Sequence, residues 1–187
     1  LMDKICEFKK SYPEIKIKIR NNTTPEVIDD LNGGKTDIAF ITNPFSVSEK
    51  LTSGKMTEFH EILVGGSIYA DLAESGKTLK ELCSYPLIGL GNGTATYELY
   101  KAVFSEAKID YELDMEVATA NLMLPLIQND LGIGFVPEVL AEPLLEKKEL
   151  VQIDVDMKMP PRDIQMVWDK GVGKSWAAEL FIKYLEK

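Results

Sequence analysis

The stretch NTTPEVIDDLNGGKTDIAF, residues 22–40, decides the fold. Thr24 is the expected N-cap of a helix, because its hydroxyl can accept a hydrogen bond from a backbone N–H of the first turn. Pro25 suits the first helical position, since the N–H that it lacks would have no partner there. Two glycines at 33–34 end the helix, and residues 37–41 follow as an almost wholly apolar run, which is typical of a strand covered on both faces.

A strand is predicted before this helix as well. Isoleucines alternate with basic side chains over residues 15–20, which is the period-two pattern of a strand. The whole unit is then β-α-β, with a helix N-terminus at the carboxyl end of a strand, where a small anion or polar ligand can sit on unpaired N–H groups. The alternative is that Thr24 only caps the helix, and the pattern taken alone favours that interpretation.

Composition limits the function classes. The chain has 187 residues with 45% hydrophobic content, enough for one good core or two modest ones. Its net charge of −9, from 30 acidic and 21 basic residues, argues against binding to the phosphate backbone of a nucleic acid. No apolar run approaches the roughly 20 residues that a membrane span needs. The two cysteines, Cys6 and Cys83, are unpatterned, which favours two buried free thiols in a reducing, cytoplasmic compartment over a disulfide framework or a metal site.

Two later segments repeat the opening pattern. Residues 87–90 predict a buried strand that leads through a small polar turn, 91–96, into a helix with Tyr97, Tyr100 and Phe104 on one face. Residues 111–117 predict another strand, followed by a turn and a helix whose first turn would hold Pro125. The glycines of the first turn make neither a phosphate-binding Walker loop nor a dinucleotide fingerprint, because the required neighbours are absent.

The remaining elements are shorter. A helix is predicted over residues 2–11, and another begins at the capping box formed by Thr78 and Glu81. A third covers 138–146 with a break near Pro143, and the last begins after an N-cap at Ser175. Residues 132–137 predict a strand with glycines where backbones or a ligand approach closely, 150–153 an edge strand, and 46–58 a polar segment without a clear period. Extended segments near 59–64 and 162–170 separate two sets of β-α-β elements. The fold class is therefore α/β, with two lobes joined by two crossing strands and a ligand cleft between them.

In this order the motifs resemble the effector-binding domain of LysR-type transcriptional regulators. The matching segments are FKKSYPEIKI at 8–17, LNGGKTDIAF at 31–40 and LGIGFVP at 131–137. Each is weak alone, but the ordered set covers nearly the whole chain. Two departures are that the family's opening strand and its Ser/Thr turn are absent, and that Asn129 and Asp130 replace a helix-ending glycine.

The resemblance implies a type 2 periplasmic-binding-protein fold, with lobe I at 1–62 and 169–187 and lobe II at 63–168. A small effector would lie between the lobes. The residues carried over to its site are Thr24 and Thr42 from the first lobe and Thr94, Thr96 and Thr119 from the second, with Thr23 and Asn121 beside them. For each threonine the alternative is a purely structural helix cap.

The resemblance also implies partners. The full-length protein would bind DNA through an N-terminal domain outside this chain, and the effector domains would pair as a homodimer or higher oligomer through the first helix and the helix near 97–107. No catalytic group or cofactor is expected, because the only histidine, His60, lies in a predicted crossing strand where a structural role is favoured. The second hypothesis is a solute-binding component of a transporter with the same fold.

The arginine content bears on the effector. The chain has only two arginines, Arg20 and Arg162. The sequence places neither of them in the cleft, so it does not predict the bidentate arginine contact that is usual for a dicarboxylate. Helix N-termini favour one carboxylate or another small oxyanion. We therefore expect a small, singly anionic organic acid as the ligand.

Overall fold

The structure is a computed structural model, and it describes residues 1–73, 76–157, 159–171 and 175–185. Contacts divide the chain into two compact units. Unit 1 comprises residues 1–41, 46–54 and 166–187, and unit 2 comprises 42–45 and 55–165. The lobe boundaries expected from the sequence stood at 62–63 and 168–169, and the expected return of lobe I includes residues outside the described ranges.

The described residues form eight α-helices and eight strands. The helices are α1 (Met2–Ser11), α2 (Thr24–Asn32), α3 (Ala70–Ala73), α4 (Leu79–Leu82), α5 (Ala95–Glu106), α6 (Ala120–Gln128), α7 (Glu138–Glu146) and α8 (Trp176–Leu185). The strands are β1 (Ile38–Thr42), β2 (Leu51–Phe59), β3 (Glu61–Gly65), β4 (Ile88–Leu90), β5 (Met115–Val117), β6 (Ile133–Pro137), β7 (Val151–Gln152) and β8 (Arg162–Asp169). They form three sheets, in the orders β1-β8-β2, β6-β3-β7 and β4-β5.

In unit 1, α1 packs against α8 through aromatic rings. Phe8 is only 1% exposed, and its ring centroid lies 4.8 Å from that of Phe181 and 5.5 Å from that of Tyr184. The Tyr184 hydroxyl donates a hydrogen bond to the Glu7 carboxylate. The Ser175 hydroxyl accepts from the N–H of Ala178, as the sequence predicted for the cap of α8.

In unit 2, the strand β3 is buried on both faces. It pairs antiparallel with β6, so that Leu63 faces Phe135, and Val64 also pairs with Gln152 of β7. Leu63 and Phe135 belong to one hydrophobic cluster, whereas Val64 belongs to a second cluster that also contains Val136. Successive side chains of a strand point to opposite faces, so β3 separates the two clusters and the core of unit 2 lies on both sides of this sheet.

The glycines of the strand β6 region allow close packing, as predicted. A Cβ added at Gly132 would lie 2.5 Å from the carbonyl oxygen of Pro86, and one at Gly134 would lie 2.7 Å from that of Ile88. Only a residue without a side chain lets the backbones approach this closely.

Four expectations about local structure were wrong. No strand forms over residues 15–20, where Ile17 and Ile19 are 40% and 65% exposed, because alternation alone does not supply a hydrogen-bonded partner. The polar segment 46–58 instead contains most of β2. Pro125 lies in the second turn of α6, and α7 continues through Pro143 without a break.

Two predicted strands are shorter or divided. The run 59–64 breaks at His60, which separates β2 from β3, and the strand expected over 111–117 is confined to β5. Tyr111 instead lies in an aromatic cluster, with its ring centroid 4.8 Å from that of Phe104 and 5.7 Å from that of Tyr100.

Candidate functional site

Two helices of unit 2 begin at the same edge of a parallel sheet. The strands β4 and β5 pair in parallel, with Leu90 opposite Val117 at their carboxyl ends. The N–H of Gly91 extends this pairing by donating to the carbonyl of Val117 at 3.1 Å. The helices α5 and α6 start a few residues beyond these strand ends, so their N-termini lie at one edge, the usual place for a small ligand in an open α/β sheet.

Thr94 is the N-cap of α5. Its hydroxyl donates to the carbonyl of Gly91 at 2.9 Å and accepts from the N–H of Tyr97 at 3.1 Å. A hydroxyl has a single hydrogen to donate, so Thr94 has none left for an anion while this cap is intact. The prediction that the helix N-terminus lies at Thr96 was wrong, because Thr96 is the second residue of α5. Its half-buried hydroxyl has no hydrogen bond to any residue that the structure describes.

The start of α6 offers further free donors. Thr119 is the N-cap, but its half-buried hydroxyl makes no capping hydrogen bond. Asn121 is the second residue of the helix, and its side chain is exposed. Since the first N–H groups of a helix lack intrahelical partners, this end is suited to bind an anion.

Thr42 ends the strand β1 and is held by Arg162, the first residue of β8. Nη2 of Arg162 donates to Oγ1 of Thr42 at 2.8 Å and to the carbonyl oxygen of Asn43 at 2.9 Å, and Nε donates to the same carbonyl at 3.0 Å. Arg162 is 3% exposed. Most of the guanidinium donors of Arg162 therefore already have protein acceptors.

A buried carboxylate neutralises this arginine. Nη1 of Arg162 donates to Oε1 of Glu61 at 3.1 Å, and the guanidinium carbon lies 5.6 Å from the ring centroid of Phe59. Burial raises the pKa of the Glu61 carboxyl, although the charge of Arg162, the nearby Tyr100 hydroxyl and the hydrogen bond from Arg162 oppose the rise. Oε2 of Glu61 and the hydroxyl oxygen of Tyr100 interact electrostatically but do not reach full hydrogen-bond geometry with each other or with another described atom.

The predicted site residues of unit 1 lie at the start of α2. The expected N-cap was wrong by one position, because Thr23 is the cap and Thr24 is the first helical residue. The backbone N–H and the hydroxyl of Thr23 both donate to Oε2 of Glu26, at 2.9 and 2.8 Å. These bonds lower the pKa of Glu26, that from the backbone N–H most strongly. The Thr24 hydroxyl has no hydrogen bond within the described ranges.

Hydrogen bonding therefore divides the predicted site threonines into two groups. Two hydroxyls have committed their hydrogen to local structure, those of Thr23 and Thr94. Four have no acceptor among the described residues and can donate to a ligand, those of Thr24, Thr42, Thr96 and Thr119. Neutral hydroxyl donors and helix N-termini are groups that can each contribute to the binding of an oxyanion.

Sequence reasoning missed the Glu61–Arg162 pair. A usable signal was present, since a carboxylate opens the apolar run of β3 and an arginine opens the alternating strand β8. Both charges lie on the predicted crossing strands, where an isolated charge would be costly to bury. His60, between β2 and β3, has an exposed side chain, and its carbonyl accepts from the N–H of Glu138.

In the described parts of the chain no group of three or more His, Cys, Asp or Glu side chains could hold a metal ion. The expectation that the two cysteines are buried was wrong, because Cys6 lies on an exposed side of α1 and Cys83 at the exposed C-terminal end of α4. No described helix is both long and apolar enough to span a membrane. An open groove of about 510 Å³ runs along α5 beside Lys101, Ser105 and Tyr111, and none of the predicted site residues lines it.

Comparison with known proteins identifies the fold. The effector-binding domain of QuiR in complex with shikimate superposes with a TM-score of 0.80 at 19% identity, over 98% of this chain and 87% of that one. The regulatory domain of CcmR from Synechocystis PCC6803 in complex with 2-PG also gives 0.80, at 16% identity, over 98% and 88%. These similarities show that the chain has the two-lobe, type 2 periplasmic-binding-protein-like fold expected from the sequence.

Sequence comparison identifies the family. The transcriptional regulator CysB of Burkholderia cenocepacia is 23% identical over 139 residues, which cover 74% of this chain and 44% of CysB. The chain spans about half the length of the curated relatives that it matches, and these relatives are transcriptional regulators. A family model described as the LysR substrate binding domain matches residues 1–187, and the chain therefore belongs to this family of effector-binding domains.

Proposed function

We propose that this domain senses a small, singly anionic organic acid, and that the whole protein uses this signal to control transcription. The observation that carries the proposal is the shared edge of β4 and β5, where α5 and α6 begin and where the hydroxyls of Thr96 and Thr119 have no described acceptor. Helix N-termini carry partial positive charge, and hydroxyls donate hydrogen bonds to a carboxylate.

A single negative charge is favoured over two. A dicarboxylate usually needs a guanidinium that is free to bind it bidentately, whereas Arg162 is buried, hydrogen-bonded to protein acceptors and neutralised by Glu61. Helix termini and hydroxyls supply partial charges, which match one carboxylate better than two. Two structural neighbours are bound to shikimate and to 2-PG, which supports a small-molecule effector here.

The remaining site residues stay predictions. Thr42 and Thr24 are proposed ligand donors because their hydroxyls have no described acceptor, and Asn121 because its exposed side chain lies in the first turn of α6. Thr23 and Thr94 are proposed to act through backbone shape, since their hydroxyls are committed to the ends of α2 and α5.

We also propose that the whole protein is cytoplasmic and oligomeric. In this proposal it binds DNA through a segment outside this chain. The regulatory role of the relatives supports this assignment over an enzyme or a solute-binding component of a transporter. The acidic balance of the chain supports a separate DNA-binding segment.

A thermal-shift screen of metabolite acids tests the proposal, because a ligand that binds only the folded state raises the melting temperature. We expect at least one monocarboxylic acid to stabilise the protein in a saturable way. Thr96→Val and Thr119→Val should each weaken that ligand by about 1–2 kcal/mol, the range for losing a hydrogen bond to a charged group. Thr57→Val is the matched control, since Thr57 lies on β2 and donates to the carbonyl of Glu58.

Two results would contradict the proposed oxyanion site. Stabilisation by cations or neutral sugars alone would contradict an oxyanion site. Unchanged affinity for the acid in both valine variants would place the ligand elsewhere.

A further inference from the structure

We propose that Arg162 is a positioning residue for effector recognition, which holds the Thr42 hydroxyl so that its hydrogen is directed to an oxyanion of the ligand. The inference rests on the proposed function, and it adds a specificity-determining pair that the sequence patterns did not predict. All of the groups involved belong to unit 2.

The geometry fixes the end of β1 against the start of β8. Two nitrogens of the guanidinium, Nε and Nη2, converge on the carbonyl oxygen of Asn43, and Nη2 also reaches Oγ1 of Thr42 at 2.8 Å. The Asn43 side chain completes the connection, because its Oδ1 accepts from the N–H of Asp163 at 2.6 Å. A planar, five-donor fork anchored at several points cannot rotate freely, so the position of Oγ1 is fixed as well.

This arrangement determines what Thr42 can do chemically. Because the guanidinium donates to Oγ1, the hydroxyl is an acceptor on that side and its single hydrogen must point away from the cation. That hydrogen has no acceptor among the residues that the structure describes. A hydroxyl that accepts from a cation is polarised and becomes a stronger donor, which favours an anionic acceptor over a neutral one.

The other side of the guanidinium explains why Arg162 acts through Thr42. Nη1 donates to Glu61, whose side chain is 4% exposed, and the ring of Phe59 lies against the guanidinium. The carboxylate cancels the net charge of the arginine and fixes its orientation. The arginine can therefore transmit polarisation to Thr42 without offering a second cationic contact, which limits the site to a small, weakly charged oxyanion.

A double-mutant cycle with inorganic phosphate as the probe tests this coupling. Phosphate binding is measured by NMR titration at a pH below the second pKa of phosphate, so that the probe is a monoanion, for the 187-residue chain, for Thr42→Val, for Arg162→Lys and for the double variant. We expect Arg162→Lys to weaken phosphate binding roughly tenfold when Thr42 is present and less than twofold in the Thr42→Val background, since a hydrogen bond to a charged group is at stake. An equal loss in both backgrounds would overturn the inference and leave Arg162 with a structural role.

A second readout needs no change at Arg162. The chain has two arginines, so the guanidinium resonances of Arg162 and of the more exposed Arg20 can be told apart. We expect saturating phosphate to shift the Nη2 signal of Arg162 in the unsubstituted protein but not in Thr42→Val, with Arg20 reporting non-specific effects. If phosphate binds but the Nη2 signal of Arg162 does not shift, the inference about Arg162 is overturned and the proposed oxyanion site is not. No saturable phosphate binding to the unsubstituted protein would overturn the proposed oxyanion site, and this inference with it.

Discussion

Arg162 and Glu61 are 101 positions apart in the chain, yet Nη1 of the arginine donates to Oε1 of the glutamate at 3.1 Å in a buried ion pair. The pair joins the first residue of β8 to the first residue of β3. Burying two charges is costly unless each is paired and hydrogen-bonded, so the stability of this region depends on both partners being present.

The first prediction concerns the loss of one partner. Arg162→Met should lower the free energy of unfolding at pH 7 by about 3–5 kcal/mol, because it leaves the Glu61 carboxylate buried without a cation. Chemical denaturation followed by circular dichroism measures this change. Arg20→Met is the control, since Arg20 is a half-exposed partner of Asp30 at 3.7 Å and its loss should cost little.

The same pair makes stability depend on pH. Burial raises the pKa of Glu61 above its ordinary value of 4.5, so the folded state holds this proton more tightly than the unfolded chain does. The contribution of Glu61 is therefore fully favourable below pH 4.5 and decreases as the pH rises through the raised pKa. As the pH rises from 4.5 through the raised pKa of Glu61, we expect the free energy of unfolding of the unsubstituted protein to fall relative to that of Glu61→Gln. A difference that is constant with pH would contradict the assignment.

The second prediction separates a structural cap from a cap with a free hydroxyl. Thr94→Ala should destabilise the protein by about 1 kcal/mol, because the Thr94 hydroxyl accepts the N–H of Tyr97 at the start of α5. Thr119→Ala removes a hydroxyl without a capping hydrogen bond and should cost clearly less. Urea denaturation of both variants makes the comparison, and equal losses would contradict the distinction.

The third prediction concerns backbone contact at β6. Gly134→Ala should destabilise the protein by about 1–3 kcal/mol, because the new methyl group would lie 2.7 Å from the carbonyl oxygen of Ile88 and 3.1 Å from Cδ1 of Ile127. Gly54→Ala is the matched control in a strand, since its methyl group would meet the Trp168 ring at 3.6 Å, an ordinary contact. Thermal unfolding of the two variants should differ accordingly.

The fourth prediction concerns self-association. We expect a homodimer through α1 and α5, as the family resemblance implies, and sedimentation at rising concentration measures it. The outer end of α1 exposes Leu1 and Met2, at 54% and 64%, whereas the large apolar side chains Tyr100 and Phe104 of α5 are buried. Met2→Glu should weaken the dimer, and Val139→Glu, at an exposed position on α7, should not. A strictly monomeric species at high concentration would count against the prediction.

The fifth prediction is that the chain alone does not bind DNA. With nine more acidic than basic side chains it lacks the positive charge that phosphate contacts need. Fluorescence anisotropy with duplex DNA at low salt should show no saturable binding. Tight binding that weakens steeply with added salt would show that this interpretation of the charge is incorrect.

Local patterns were sufficient where they described local physics. The capping box predicted at Thr78 is present. The backbone N–H of Thr78 donates to the Glu81 carboxylate, and the Thr78 hydroxyl oxygen accepts from the N–H of Glu81. The strand at β8 and the close-packed glycines of β6 were also predicted, although burial along β8 does not alternate, since the neighbours Met166 and Val167 are both buried. The ordered motifs likewise led to the correct family.

Patterns failed where a distant partner decides the outcome. Isoleucines at 15–19 alternate as in a strand, but the structure forms no ladder there, because a strand is defined by hydrogen bonds to another segment. The strand β2 was missed because most of its residues are exposed and its sequence carries no apolar period, although it pairs with β8.

By itself, the sequence determined the α/β class and the family, and it located the starts of α2, α5 and α6 to within two residues. The proposed site threonines other than Thr42 lie at these starts. Only the tertiary structure decided which of the threonine hydroxyls lack an acceptor among the described residues, because that depends on groups that folding brings near. Thr94 donates to a carbonyl three residues away, whereas Thr42 accepts from an arginine 120 positions later, and no local pattern contains that contact. The buried Glu61–Arg162 pair arose in the same way, since long-range packing removes both charges from water and so requires them to meet.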